Sequence, residues 1–503
     1  YTVEELPITD IIIDEDAKKL QDLGYKQEFK REVSLFVQSG FSFATMAVLP
    51  NSLVGLSQTM RADGPMSQFW GYIVLAPFVM CIALGMAETF SSYPVNGGVY
   101  SWCYLMSSKE WGPFMAWNCG YVFLAGVLAT VMTAAYTMAE YVVAIANVLI
   151  TDPERQITSH SITIGIYIGI LLLSVIYCYQ GIRFSGYLNV FTVIWVLVGT
   201  IVVIVVLLVM SPSYASAEWV FTSWQDLTGY NSPGLAFLLG LLQCGWVLIG
   251  YENGAQIAEG TKNADKTGPT GILIGVVGAI VQGLILSAVV LFCIQDMDAL
   301  LESSFPVATL FVQATNGPIA AFLMVILAVS QFVAVTNNVV AASQMLWAMA
   351  RDHAVPHHKF WYKLHGKNEI PLRILLLEAT ICVIAIMPSF GSPDYWSAIM
   401  SLAVICINFA YGLPFICRLI WKRNDPLPRG PFSLGKYSIT VNCVAVAWVL
   451  FFGVVLCIPS THPVTVQSMN WASIMIVGTF TFSLVFWFAT GRKNYKGPMQ
   501  TAQ

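Results

Sequence analysis

The sequence predicts an all-α polytopic membrane protein of twelve transmembrane helices, and three observations predict it. The chain of 503 residues is 57% hydrophobic and only 10% charged, where soluble domains carry about 25% charged residues, and its mean hydropathy is +0.69. Windows free of Asp, Glu, Lys and Arg recur along it, each long enough to cross a bilayer as about 20 helical residues. When the segments between these windows are numbered alternately, all of the 24 lysines and arginines except Arg61 and Arg155 fall in one set. A single soluble core cannot absorb so much apolar chain, because such cores stop growing near ~250–300 residues. Soluble globular, disordered and disulfide-rich secreted classes are excluded. So is a β-barrel, whose strands alternate polar and apolar residues. A net charge of −4 offers nothing to nucleic acid.

The first thirty residues are polar and charged, without the pattern of a signal peptide. A chain that opens at Tyr1 rather than Met is expected to be a trimmed or partial product. The spans then follow in order. Val33–Gln58 is the first, and Ser67–Ala87, ended by Glu88, the second. Trp111–Ala139 is the third, Ser161–Ile182 the fourth and Phe184–Met210 the fifth. Ser232–Ala258, interrupted only by Glu252, is the sixth, and Thr267–Gln295 the seventh. Ser303–Ala350 is charge-free but punctuated by Asn316-Gly317-Pro318, so the eighth span starts near Pro318. Arg373–Met387, which contains Glu378, is the ninth, and Tyr395–Cys417 the tenth. Tyr437–Gly491 is too long for one crossing and splits at Pro459–Pro463 into the eleventh and twelfth.

The basic set comprises the N-terminal tail, the loops after even-numbered spans and the C-terminal tail, and the positive-inside rule makes that set cytoplasmic. The organisation is therefore a cytoplasmic N-terminal segment (1–32), helices 1–5 (33–210), helices 6–10 (232–420), helices 11–12 (437–491) and a cytoplasmic tail (492–503). The eleven cysteines lie in or beside spans with no CxxC pair, as small apolar fillers rather than a metal site or disulfide framework. No histidine sits in mid-span. His353, His357, His358 and His365 fall in the loop after the eighth span, and His160 and His462 at outer ends.

A transporter site is commonly built where two helices break at the bilayer midplane, in corresponding positions of two halves. The first span carries Gly40 to Ala47 and the sixth Gly245 to Gly254, five spans apart as a five-plus-five repeat requires. Glycine spacing alone also suits close helix packing. Glu252 adds weight, because a carboxylate inside a span costs about 2.5–3.5 kcal/mol and faces a cavity or a partner. With Tyr251 beside it and Trp246 six residues earlier, it can hold an ammonium by charge and cation–π attraction, carry a coupling proton, or bond a freed carbonyl.

Several motifs carry a resemblance. Ala87-Glu88, then Ser92 to Trp102, is similar to the signature after the second span of the amino acid–polyamine–organocation (APC) permeases. Glu259 to Asn263 with Pro269, and Trp347 to Pro356, resemble that superfamily's motifs after the sixth span and closing the eighth. Leu23 to Arg31 resembles the fungal amino acid/choline transporter family, which includes permeases for γ-aminobutyrate, choline, thiamine and polyamines. The resemblance implies a LeuT-like five-plus-five inverted repeat with broken helices 1 and 6, plus two helices. It places Ser42, Thr45 and Met46 in the first break and Trp246, Tyr251 and Glu252 in the sixth, with the third, eighth and tenth spans contributing. The lysine that some proton-coupled relatives carry in the fifth span is missing from Asn189 to Trp195.

Other polar residues in the spans have plainer readings. Glu88 is expected to pair with a loop base such as Lys109 or Arg183 and to help close the inner gate. Glu140 is expected to be solvated at the outer end of the third span, and Glu378 to be a structural partner in the ninth. Asn337 and Asn338 either face the solute or bond neighbouring helices. Tyr121 is either an aromatic wall or packing, and Asn118 is equally open.

These readings describe a secondary transporter, not an enzyme, importing a small nitrogen-containing solute by alternating access. Ser42, Thr45, Met46, Tyr121, Trp246, Tyr251, Glu252 and Asn337 are the candidate binding residues, and Glu252 and Glu88 the coupling and gating ones. An organic cation such as choline or thiamine is the leading expectation, and γ-aminobutyrate, another amino acid or a polyamine the alternative. A carboxylate on the solute would be held by N–H groups around Ser42–Met46. No cofactor or metal is expected; the coupling ion is a proton, with sodium left open. Expected partners are the solute and the bilayer, in a plasma-membrane monomer or weak homo-oligomer. A channel or a non-transporting nutrient sensor are the rivals from other classes.

Overall fold

The computed structural model describes residues 35–95, 97–150, 152–366, 370–391, 395–423, 425, 427–428, 430–465 and 469–498. The N-terminal motif Leu23–Arg31, Asn96, Lys367 and Arg429 lie outside the described residues. Among the described residues eleven helices are long and apolar enough to cross a bilayer. A bent pair, Gln38–Val54 and Leu56–Ala62 at 51°, makes up to twelve.

The spans follow the charge-free windows with shifted ends. The first is Leu35–Met46, Val48–Val54 and Leu56–Ala62, and the second Pro65–Ser92. The third, Gly112–Leu149, runs well past the expected Ala139. The fourth is His160–Cys178 and the fifth Ile182–Met210. The sixth is a helix, Pro233–Val247, followed by a 3₁₀ segment, Tyr251–Gly260. The seventh is Ala264–Phe292. The charge-free run before the eighth forms a separate short helix, Pro306–Ala314, because Asn316 caps a new start: its side chain accepts from the Ile319 N–H. The eighth is Gly317–Arg351, the ninth Leu372–Ala385, the tenth Tyr395–Trp421, the eleventh Ser438–Val455 and the twelfth Ala472–Phe486.

Packing partners recur at an offset of five. The first span meets the sixth and seventh, the second lies along the seventh, and the third lies along the eighth and tenth. This is the architecture of a five-plus-five repeat with two helices added. Close approach between spans 2 and 7 depends on missing side chains. A Cβ on Gly268 would stand 2.1 Å from the Phe90 ring, and one on Gly283 would stand 2.4 Å from the Tyr72 ring. Burial ranks the helices in the same sense. The most apolar stretch of the tenth span is 83% buried and that of the twelfth 11%, so the third, sixth, eighth and tenth form the centre and the twelfth faces lipid.

Glu88 does not pair with Lys109, and the Arg183 side chain lies outside the described residues. It is buried at the end of the second span on the side of the lysine- and arginine-rich loops, called inner here, and pairs with Arg418 on the tenth, Nη1 to Oε2 at 2.9 Å. Ser438 Oγ donates to the same carboxylate oxygen and accepts from Arg418 Nη1 at 2.7 Å. The other oxygen accepts from the Leu434 N–H at 3.0 Å. A loop lysine would leave the carboxylate half in water, whereas a guanidinium on a packed helix satisfies it with fixed geometry.

Glu140 is likewise not a solvated end group. The helix continues past it, and the residue is half-buried in a cavity wall. On that outer face, opposite the lysine- and arginine-rich loops, the segment between spans 5 and 6 lies along the end of span 1. Leu227 N–H donates to Arg61 O and Gln225 N–H to Asp63 O, both at 3.0 Å. Burial pushes the Asp63 carboxyl up to about 7; a backbone bond from Ser67 opposes the shift and the charge of Asp226 adds to it. Asp226 itself is held below the usual range, chiefly by the Thr228 hydroxyl.

Two outcomes are expected. Arg418→Met leaves a buried carboxylate unpaired and should cost on the order of 3–5 kcal/mol in thermal unfolding of the purified protein. Adding Glu88→Gln should recover part of that loss, a non-additivity measurable in a double-mutant cycle. Because Asp63 holds its proton more tightly folded than unfolded, stability from this group is greatest at low pH. It should fall as pH rises from 3.8 to about 7, since the native state then binds the extra proton. Asp63→Asn should flatten that part of the melting-temperature profile.

Candidate functional site

The first span breaks where Ala47 takes a left-handed conformation, φ 41°, between Leu35–Met46 and Val48–Val54. The sixth breaks after Val247, with Gly250 at φ 93° before the 3₁₀ segment. Each break frees backbone N–H and C=O groups that water cannot reach inside a bilayer, and side chains must satisfy them. Asn51 Nδ2 donates to Met46 O at 2.8 Å. Gln243, on the outer half of span 6, accepts from the Gly55 N–H at 2.7 Å and donates to Asn51 O. Gln38, on the inner half of span 1, donates to Gly254 O at 2.6 Å and accepts from Thr261 Oγ1 at 3.0 Å. Gly254 permits this approach, since a Cβ there would meet Gln38 Nε2 at 2.5 Å.

Glu252 is buried and accepts a hydrogen bond from the Tyr411 hydroxyl of span 10. The same hydroxyl accepts from the Gly250 N–H at 3.0 Å. Tyr411 thus bridges the carboxylate to the broken backbone, with its ring 5.2 Å from that of Tyr251. The alternative weighed from sequence had Glu252 bonding a freed carbonyl; here the carboxylate accepts from a tyrosine hydroxyl instead.

A small central cavity lies at the breaks, lined by Thr45, Met46, Trp246, Gly250, Asn338 and Ile407 among others. Its volume is about 10 Å³, room for roughly one water. Ser42 Oγ, Trp246 Nε1 and the Tyr251 hydroxyl are buried without a hydrogen-bond partner. The structure therefore brings Thr45, Met46 and Trp246 to one cavity, with Ser42, Tyr251 and Glu252 in its neighbourhood but off its wall. Asn337 turns away and donates to Asn189 Oδ1 on the fifth span at 2.6 Å, while its neighbour Asn338 lines the cavity. Tyr121 lies among Trp117, Phe482 and Phe486 and donates to Ala354 O at 2.7 Å. Asn118 accepts from Ser483 Oγ at 2.9 Å, joining spans 3 and 12. Glu378 is buried in the ninth span, and neither carboxylate oxygen has a hydrogen-bond partner. A second cavity of about 420 Å³ opens on the outer face and shares no lining residue with the central one.

Gln38, Gln243, Asn51 and Tyr411 were not singled out from sequence. The signal available was a side-chain amide inside a charge-free span, which needs a partner as surely as an acid does. For Tyr411 there was no local signal. Among the described residues no group of three or more His, Cys, Asp or Glu is placed to hold a metal.

Removing the hydroxyl in Tyr411→Phe leaves both Glu252 and the Gly250 N–H without that partner. A loss of about 1–3 kcal/mol in thermal unfolding is expected, together with a clear drop in solute uptake. Glu252→Gln, which can still accept from Tyr411, should unfold closer to wild type.

Comparison with known proteins bears on the fold and site together. Residues 34–480 match the family model described as amino acid permease. The chain is 29% identical to amino-acid permease BAT1 of Arabidopsis thaliana, with 97% of each chain covered. It is 30% identical to an uncharacterized amino-acid permease of Schizosaccharomyces pombe, over 96% of this chain and 90% of that one. It is 29% identical to amino-acid permease 2 of Neurospora crassa, over 96% and 89%.

Proposed function

The chain belongs to the amino acid permease family, and from that premise we propose that it imports an amino acid by alternating access through the two broken spans. The observation that carries this reading is the engagement of Glu252. An organic cation such as choline would need an acid facing the cavity. Here the carboxylate is taken up by Tyr411 and is absent from the cavity wall. The wall instead combines neutral side chains with the broken backbone at Met46 and Gly250. The Met46 carbonyl and the Gly250 N–H are taken up by Asn51 and Tyr411, so the solute's carboxylate and ammonium fall to the other backbone groups of the two breaks and to the neutral side chains of the wall, and neither end needs a charged side chain. The family relationship supports the same ordering and sets choline and thiamine behind an amino acid. The basic loops and both termini face the cytoplasm in this reading, in the plasma membrane. A proton is the coupling ion, passing without a lysine in the fifth span.

Uptake into transporter-deficient cells tests it, using a tritiated mixture of the twenty protein amino acids, γ-aminobutyrate, choline, thiamine and putrescine as separate probes. Saturable amino acid uptake that rises as external pH falls, with no sodium dependence, is expected. Choline or thiamine uptake with no amino acid uptake would sink the reading. No uptake of any probe, with the protein at the cell surface, would favour a sensor.

A further inference from the structure

The polar residues in the outer half of span 3 fall on one face and run from the central cavity to the outer one. Thr130 and Ala134 line the central cavity, and Thr137, Glu140 and Ala144 the outer one. At 3.6 residues per turn, Thr130, Thr133, Thr137 and Glu140 lie within about 80° of one another around the helix, and they rise about 15 Å toward the outer face. The Thr130 hydroxyl donates back to the Gly126 carbonyl at 2.9 Å. Thr133 and Thr137 are buried too, yet neither hydroxyl has a hydrogen-bond partner. Gln331 of span 8 donates to the Ala134 carbonyl at 3.3 Å, and its own side-chain oxygen is buried without a partner. Unpartnered polar atoms inside a folded protein are rare, and these are strung between two cavities.

Glu140 is the outermost member of this row. It is half-buried in the wall of the cavity of about 420 Å³. Among the described residues its carboxyl takes part in no ion pair and no side-chain hydrogen bond. The other charged or titratable residues of that wall are Arg61, which gives a nitrogen to the Leu301 carbonyl, and Tyr141, which donates to the Pro50 carbonyl at 2.9 Å. One turn below Glu140, the Tyr136 ring stands 6.2 Å from that of His160 on span 4 and 6.5 Å from that of Trp396 on span 10. His160 Nε2 is bonded to Ser389 Oγ at 3.0 Å, and Tyr395 on span 10 donates to the Ala385 carbonyl at 2.6 Å. The Pro306–Ala314 helix and the outer half of span 8 bring no titratable group, and Glu378 sits toward the inner end of span 9. Arg61, Tyr141, His160 and Tyr395 are thus engaged elsewhere, and the Glu140 carboxyl is free to gain and lose a proton.

We propose that Glu140 is the proton-binding residue of uptake: it takes a proton from the outer solution, and the outer cavity closes over the solute only with Glu140 neutral. Closure strips water from a carboxyl that no side chain partners, which a neutral carboxyl tolerates and an ionised one does not. Proton binding and closure therefore favour each other, as two events that select the same state must. When the inner path opens, water reaches the central cavity, and the proton leaves Glu140 inward past Thr137 and Thr133, whose hydroxyls both accept and donate. The carboxylate left behind favours the outward-open form, where water solvates it. This rests on the proton-coupled amino acid reading above and names the residue that carries the proton.

The test uses purified protein in liposomes loaded with the pH dye pyranine, with the tritiated amino acid mixture as probe. Wild type should accumulate label when the outside is acid, and amino acids should drive acidification of the interior. Glu140→Gln, held neutral, should still exchange labelled for unlabelled amino acids at close to the wild-type rate, while its accumulation and its amino-acid-driven acidification fall about tenfold or more. Glu140→Asp should restore both. Accumulation and acidification unchanged in Glu140→Gln would overturn the assignment and leave the permease reading standing. Loss of exchange along with accumulation would mark Glu140 as a structural or solute-binding residue and reject the proton role equally. Wild-type uptake without acidification would overturn proton coupling and this assignment with it, and absence of wild-type uptake would overturn the permease reading itself.

Discussion

Every feature of the centre follows from one constraint: backbone hydrogen-bonding groups freed inside an apolar slab have no water to turn to. An unbroken helix meets that constraint within itself, and this protein breaks two. The cost is met by side chains brought from elsewhere: Asn51 for the Met46 carbonyl, Gln243 for the Gly55 N–H, Gln38 for the Gly254 carbonyl, and Tyr411 for the Gly250 N–H. Asn51 reaches across its own break from five residues on, and the other three come from distant stretches of chain. The breaks therefore exist only in the assembled bundle, and the packing of the third, sixth, eighth and tenth spans serves to hold those donors and acceptors in place.

How far the sequence discloses this depends on whether a signal is local. Span number and order are local, because a charge-free run of the right length is visible in one dimension and the basic loops check the count. The breaks are nearly as visible, since a glycine at φ 93° such as Gly250 marks backbone that other residues adopt poorly. Partnerships are not local. The cost of burying Glu88 says that a partner exists, but Lys109 and Arg183 are nearer in sequence than Arg418, and only the third dimension selects it. The same holds for Asn337 and Asn338, whose side chains point to different neighbours because adjacent helical residues lie about 100° apart. Helix ends misread from composition, as at Glu140 and before Ala472, shift because polar residues can continue a helix when protein rather than lipid surrounds them.

Charge in this chain is scarce enough that each buried instance is informative. Glu88 and Arg418 neutralise each other and join three segments at the inner face. Glu252 is spent on the sixth break through Tyr411. Arg61 and Glu140 are placed in an open cavity and left unspent. An acid in a transmembrane helix is commonly taken as the substrate's counter-charge, yet the acid in the most suggestive sequence context is itself engaged by the fold, through Tyr411. Occupancy by hydrogen bonds separates structural from available charge better than position in a motif does.

The two glutamine ties run crosswise, and that has a mechanical consequence. Gln38 yokes the inner half of span 1 to the inner half of span 6, and Gln243 yokes the two outer halves. Along each span the two halves join through the backbone at Ala47 and at 248–250, and Asn51 crosses the first break to the Met46 carbonyl. The molecule thus has two rigid couples sharing a pair of pivots. In the alternating-access reading proposed above, these couples are the units that swing, and a path on one face opens while the couple on the opposite face stays seated.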